Sequence, residues 1–351
     1  MSPRTTHFLE LAYHRTGVST ERTMPTLDTE LLHPLIKLYI HLGGGVLLGW
    51  VLGRLLPKRV PTFMGQFLYW IGVPVSIIAF LRRADLSGAI WIAPVMAWVA
   101  ILLGAGLAWS WIQGQIIKRL GDDVEYQFSK KAINSWSKPA QGSFLLSAMV
   151  GNTGYLGFPV TLALVGEKYF GWALFYDLLG TAIGAYGLGV VLAVRFGKEA
   201  KSSWQLVRAM LYNPALWSLG FGLVVRQIAL PEVVEQGLQG FAWGAIALSL
   251  LLIGMRLSQL NSWSRLQQVW VSLGIKMLLV PLVLGIVLSQ LGITGPPQLV
   301  IVLQMAMPPA FATLVLAEVF DLERDFAVTT LAVGSIGLLL TLPVWLLLFG
   351  G

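Results

Sequence analysis

Apolar runs long enough to cross a bilayer recur from about residue 34 to the end of the chain, and mostly short loops separate them. Inside lipid no water is present to bond backbone N–H and C=O groups, so a spanning segment must satisfy its own, and a helix of roughly 20 apolar residues does so. This recurrence restricts the chain to an all-α polytopic membrane protein. Hydropathy places ten spans, at 34–56, 61–82, 87–112, 139–165, 169–196, 206–229, 236–257, 266–291, 296–319 and 325–349. Hydrophobic residues make up 56% of the chain and charged ones 12%, a balance that belongs in lipid rather than in a water-soluble core. The net charge of +7 does not point to nucleic acid, because the Lys and Arg residues are scattered through short loops instead of gathered on one face.

One span departs from regular helix. Ser147 to Val160 reads SAMVGNTGYLGFPV. Gly151, Gly154 and Gly157 recur three apart, Asn152 and Thr153 put polar groups at membrane depth, and Pro159 removes a backbone donor. Non-helical backbone survives at that depth only where protein or a wet cavity satisfies the freed groups, so a broken helix here points to a binding site in a transporter. Close packing of small residues around a proline kink is the plainer alternative.

The remaining chain organises around this stretch. Residues 1–33 form a polar tail with no apolar signal core, and Met24 is a second candidate start. The linker 113–138 is charged and is expected to be solvated and partly helical. Basic residues concentrate in alternate loops: Arg54, Lys58 and Arg59; Lys118, Arg119, Lys130, Lys131 and Lys138; Arg195, Lys198, Lys201 and Arg208; Arg256 and Arg265. By the positive-inside bias those loops face the cytoplasm, which puts both termini outside. The halves 34–196 and 197–351 also resemble each other. Gly49, Ser76 and Arg83 fall on Gly222, Ser249 and Arg256 at an offset of 173, and Asn152-Thr153 falls on Pro308-Pro309 at 156. A five-span unit repeated in tandem inserts inverted the second time, with a site at the midplane between the copies.

GNTGYLGFPV in span 4, Asn213-Pro214, LSLLLIGMRL in span 7, IKMLLVP in span 8 and the Pro308-Pro309 break in span 9 resemble the auxin efflux carrier family of permeases. That family includes bacterial malonate-type permeases and, more distantly, the plant PIN carriers. The resemblance implies ten helices in two inverted five-helix repeats, with helices 4 and 9 broken and crossing at the centre, as in the bile-acid symporters and NhaA-like antiporters. The plant carriers have Asn-Pro-Asn at the first crossing. Here Asn152 is followed by Thr153 and Gly154, so an auxin-like substrate does not follow.

Candidate site residues fall into three sets. Asn152, Thr153, Gly154, Tyr155, Pro308 and Pro309 are expected at the substrate, with Ser76 beside them, although a mid-helix serine commonly bonds its own i−4 carbonyl. Gly151, Gly157 and Pro159 are expected to break helix 4. Asp177 and Lys276 lie deep in spans 5 and 8, where an ionised group normally faces a partner or a wet cavity. Asp177 reads as a proton relay or a partner to Lys276. Lys276 reads as positive charge for an anion, as a participant in proton coupling, or as a fixed cation on the carbonyls of a broken helix. Glu318 reads as a surface residue, and Asn213 as a helix cap ahead of Pro214.

Enzyme chemistry is not expected. Cysteine is absent, which excludes Cys-based metal sites, and His7, His14, His33 and His41 all lie in the tail or early first span, so no metal pair or catalytic dyad can be assembled from a membrane-embedded histidine. No nucleotide-binding motif and no cofactor site is present. The expectation is an inner-membrane secondary transporter for a small organic anion, working by uniport or with H+, with scaffold helices that can pair into a homodimer. The competing class is a membrane sensor that binds its ligand without moving it.

Overall fold

The computed structural model describes residues 39–57, 59–121, 136–197, 212–258 and 265–350. Met24, the centre of the 113–138 linker and residues 198–211 lie outside these residues. The described chain is helical, and its only strand-like feature is a single backbone bridge.

In chain order the helices are α1 (Gly44–Leu55), α2 (Arg59–Arg83), α3 (Ile92–Gly121), α4 (Lys138–Met149), α5 (Thr153–Leu164) and α6 (Glu167–Phe196). There follow α7 (Pro214–Val225), α8 (Glu232–Leu257), α9 (Leu266–Gln290), α10 (Pro296–Met305), α11 (Phe311–Val319) and α12 (Arg324–Phe349). Among the described residues, six of these (α2, α3, α6, α8, α9 and α12) are long and apolar enough to cross a membrane. Exposed Leu47, Trp91, Val95, Leu102, Ile336 and Leu340 suit an outer surface in contact with lipid.

Local sequence sets several boundaries differently from hydropathy. Helix α3 runs to Gly121, well past the expected end at 112, because hydropathy marks where the apolar residues end and not where the helical hydrogen-bond ladder does. Helix α7 starts only at Pro214. Asn213 caps it by accepting from the Ala215 N–H at 3.0 Å, and proline at the first helical position loses no bond. Three prolines, Pro74, Pro159 and Pro281, each come two residues after a π-helical turn: Leu68–Gly72, Thr153–Gly157 and Gly274–Leu279. The wider ladder is how each helix passes a residue without an N–H.

The helices pack as two groups, each drawing on both halves of the chain. In the first, α1 lies along α8, and α2 packs against α7 and α8. Gly49 makes the α1–α8 contact close: a Cβ there would collide with the carbonyl oxygen of Leu251, and one on Gly254 would collide with that of Val46. Such backbone proximity is what holds helices together in lipid, where apolar burial alone gives little preference for protein over acyl chain. The second group contains α3, α4, α5, α6 and α9 to α12. The groups meet where α5 faces α8, and where the end of α2 faces the start of α6.

Candidate functional site

Helix α4 stops at Met149 and α5 begins at Thr153. Helix α10 stops at Met305, and α11 begins only after Ala310. The two gaps cross and pair as a minimal antiparallel ladder centred on Gly151 and Pro309. Asn152 N–H donates to Pro308 C=O at 2.7 Å, and Ala310 N–H donates to Val150 C=O at 3.0 Å. Neither proline weakens this pairing. Pro308 contributes only its carbonyl, and Pro309 sits opposite Gly151 in the position that makes no ladder bond. Each break therefore supplies the partners that the other one frees, which a lone interrupted helix in lipid could not do.

The break falls at Val150–Asn152, not at Pro159. Pro159 follows the π turn inside continuous α5, so the expectation that it interrupts the helix is corrected. Gly157 likewise serves packing: a Cβ there would collide with the side-chain amide of Gln304 on α10. Gly151 and Gly154 do lie at the crossing, the first against Lys276 and the second against Asp177.

A cavity of about 250 Å³ lies beside the crossing, between the two helix groups. Asn152, Thr153, Gly154, Tyr155 and Asp177 line it from one group, and Tyr69, Asn213 and Arg256 from the other. Asn152 is 4% exposed, and its carboxamide has no hydrogen-bond partner among the described residues. The Thr153 hydroxyl donates to the Asp177 carboxylate. Asp177 sits in a further π turn, Tyr176–Ala182, a deformation that re-aims side chains and recurs at functional sites.

Arg256 is the residue that sequence reasoning misplaced. It was grouped with the basic loop residues, but it lies in the last turn of α8, and its guanidinium stacks over the Phe311 ring at 4.5 Å. Among the described residues no carboxylate pairs with it. Its position inside the LSLLLIGMRL run was the available signal.

Lys276 is 3% exposed and lies behind the crossing, where its ammonium donates to the carbonyl of Met305 at 2.7 Å. This geometry fits the reading of Lys276 as a fixed cation on a broken helix. Among the described residues no ion pair joins it to Asp177. Ser76 donates to Gly72 C=O at 2.7 Å and does not line the cavity. Glu318 is exposed and paired with Arg324.

The cavity lies toward the end of the molecule where α7 starts and α8 finishes. At the opposite end the two groups are closed on each other. Phe80 and Trp243 pack through Phe170 onto Phe158, with ring centroids 5.0–5.5 Å apart. Beyond them Glu167 accepts from Arg83 at 3.2 Å and from the Trp243 indole at 3.0 Å.

The pattern of the family described as membrane transport protein matches residues 126–346. An uncharacterized transporter of Methanothermobacter thermautotrophicus is 27% identical over 305 residues, covering 86% of this chain and 93% of the relative. An uncharacterized transporter of Methanocaldococcus jannaschii is 27% identical over 213 residues, covering 58% of this chain and 67% of the relative.

Proposed function

The chain belongs to the membrane transport protein family, the auxin efflux carrier permeases, and from that premise we propose that it is a secondary transporter of a small organic anion, a carboxylate, working by alternating access. One observation carries the reading: two interrupted helices cross inside the molecule, and a cavity at their crossing is walled on its other side by a second helix group. A site shared between two bodies can be exposed to either side of the membrane by moving one body against the other.

The cavity's chemistry supports an anion. The Arg256 guanidinium and the N-terminal end of α11 both carry positive charge toward it, and the unpartnered Asn152 amide can donate to a carboxylate oxygen. Asp177, held by Thr153, is the group placed to take up a proton when transport is coupled to H+. The finer architecture in this reading is ten crossings in two inverted five-span repeats. α4 with α5, and α10 with α11, serve as the fourth and ninth crossings. α1, α2, α7 and α8 form a scaffold that can also join two copies. By its loop charges the protein lies in the plasma membrane with both termini outside and the cavity toward the cytoplasm.

Proteoliposomes containing the full chain test this with labelled mono- and dicarboxylates under imposed pH and potential gradients. At least one carboxylate is expected to be moved, and Asn152→Ala is expected to lower its flux more than about tenfold while the protein still inserts. Binding of a carboxylate with no flux of any under every gradient would replace transport with the sensor reading.

A further inference from the structure

Breaking two helices leaves four helix ends at the centre of the molecule, two of each sign. α5 and α11 begin at the crossing, whereas α4 and α10 finish there. Each terminus carries roughly half an elementary charge, so the two C-terminal ends together present about one negative charge in a setting without water. At the N-terminal ends, Asp177 and the cavity supply or admit negative charge. At the C-terminal ends a positive counterpart is favourable, and Lys276 is the ionisable group found there.

Its placement is closely defined. The ammonium bonds Met305 C=O, on the last residue of α10. A Cβ on Gly151 would lie 3.1 Å from both Cε and Nζ of Lys276, and 3.3 Å from Met307 C=O. The lysine therefore lies against the bare Cα of Gly151, two residues past the end of α4, and reaches the last residue of α10. Ser272, one turn earlier on α9, has a fully buried hydroxyl with no partner among the described residues, so a further oxygen lies on the same helix face. A backbone carbonyl freed at a helix C-terminus is an oxygen donor of the kind that a hard monovalent cation takes.

We propose that Lys276 is the resident counter-cation of the crossing: its ammonium occupies the place a bound monovalent metal ion would take, and removing it opens a site for a small monovalent cation. Lys276 is in this sense a positioning residue, holding the broken end of α10 beside Gly151 and touching no substrate. The proposal goes beyond the transport reading, and because its test needs no flux, failure of one is distinguishable from failure of the other.

Thermal unfolding of the purified full chain, in choline, sodium, lithium and methylammonium chlorides at equal ionic strength, is the test. The unsubstituted protein is expected to melt within about 1 °C in all four salts. Lys276→Ala is expected to melt about 5 °C lower or more in choline, and to recover at least about half of that loss along a saturating curve in methylammonium or sodium. Lys276→Gln, whose amide still donates to Met305 without charge, is run alongside in case the alanine variant does not accumulate, and the same cation dependence is expected. A saturable sodium effect on the unsubstituted protein would overturn the proposal. So would variants that melt normally in choline, or a loss that none of the three small cations restores.

Discussion

Arg256 and Asp177 give the cavity one charge of each sign, and substitution separates their roles. Arg256→Ala is expected to weaken binding of a transported carboxylate by about tenfold or more, and Arg256→Lys by less, because an ammonium cannot offer the planar pair of donors that a guanidinium does. Concentration dependence of flux in proteoliposomes reads both. Asp177→Asn keeps an acceptor for Thr153 but cannot ionise, so flux is expected to lose its dependence on pH if Asp177 carries the coupled proton. An unchanged pH profile would remove it from that role. Asn152, Thr153 and Asp177 were legible because polar groups at membrane depth stand out in an apolar run. Arg256 was not, because a cation within a turn of a predicted span end reads as a loop residue until the packing shows which way it faces.

At the scale of elements, the α1–α8 contact depends on the absence of side chains. Gly49→Ala places a methyl group against the Leu251 carbonyl, and forcing that much overlap costs about 1–3 kcal/mol. A fall of several degrees in melting temperature is expected, whereas Gly106→Ala, with open space around its Cα, should melt at or slightly above the parent temperature. Equal melting of the two variants would mean that α1 and α8 are not in backbone contact. The breaks between α4 and α5 and between α10 and α11 were legible from Asn152-Thr153 and Pro308-Pro309. The exact role of Pro159 was not, because a proline's missing N–H can be absorbed by a π turn as readily as it can end a helix, and hydropathy does not distinguish the two. Asn213-Pro214 was read correctly as a cap, since that pair acts locally.

At the scale of the whole molecule, the helix groups are closed at one end by Glu167, held between Arg83 and Trp243, and separated by the cavity toward the other. The chain has no cysteine, so an introduced thiol is its only one. Ala312→Cys, on the cavity wall, is expected to react with a water-soluble maleimide supplied from the side of the α8–α9 loop, and poorly from the opposite side. Adding Glu167→Ala removes a partly exposed pair worth up to about 1 kcal/mol, and should raise labelling from the closed side up to about fivefold. No rise would mean that this contact does not gate the cavity. The division into two groups was not legible: each group draws helices from both halves, and that interleaving is set by packing between distant segments.

The cavity, the charge arrangement and the proposed transport all depend on two interrupted helices meeting within the membrane. Oxidative cross-linking of Val150→Cys with Ala310→Cys in native membranes measures that meeting directly. Residues opposed in an antiparallel pair have Cα atoms about 5.5 Å apart, within disulfide reach, and both positions line the cavity. Mild oxidant is expected to remove most free thiol from this pair, and little from a control pair of Val150→Cys with lipid-facing Val191→Cys. If the 150/310 thiols both stay free and reactive under conditions that oxidise accessible neighbours, the two breaks do not meet.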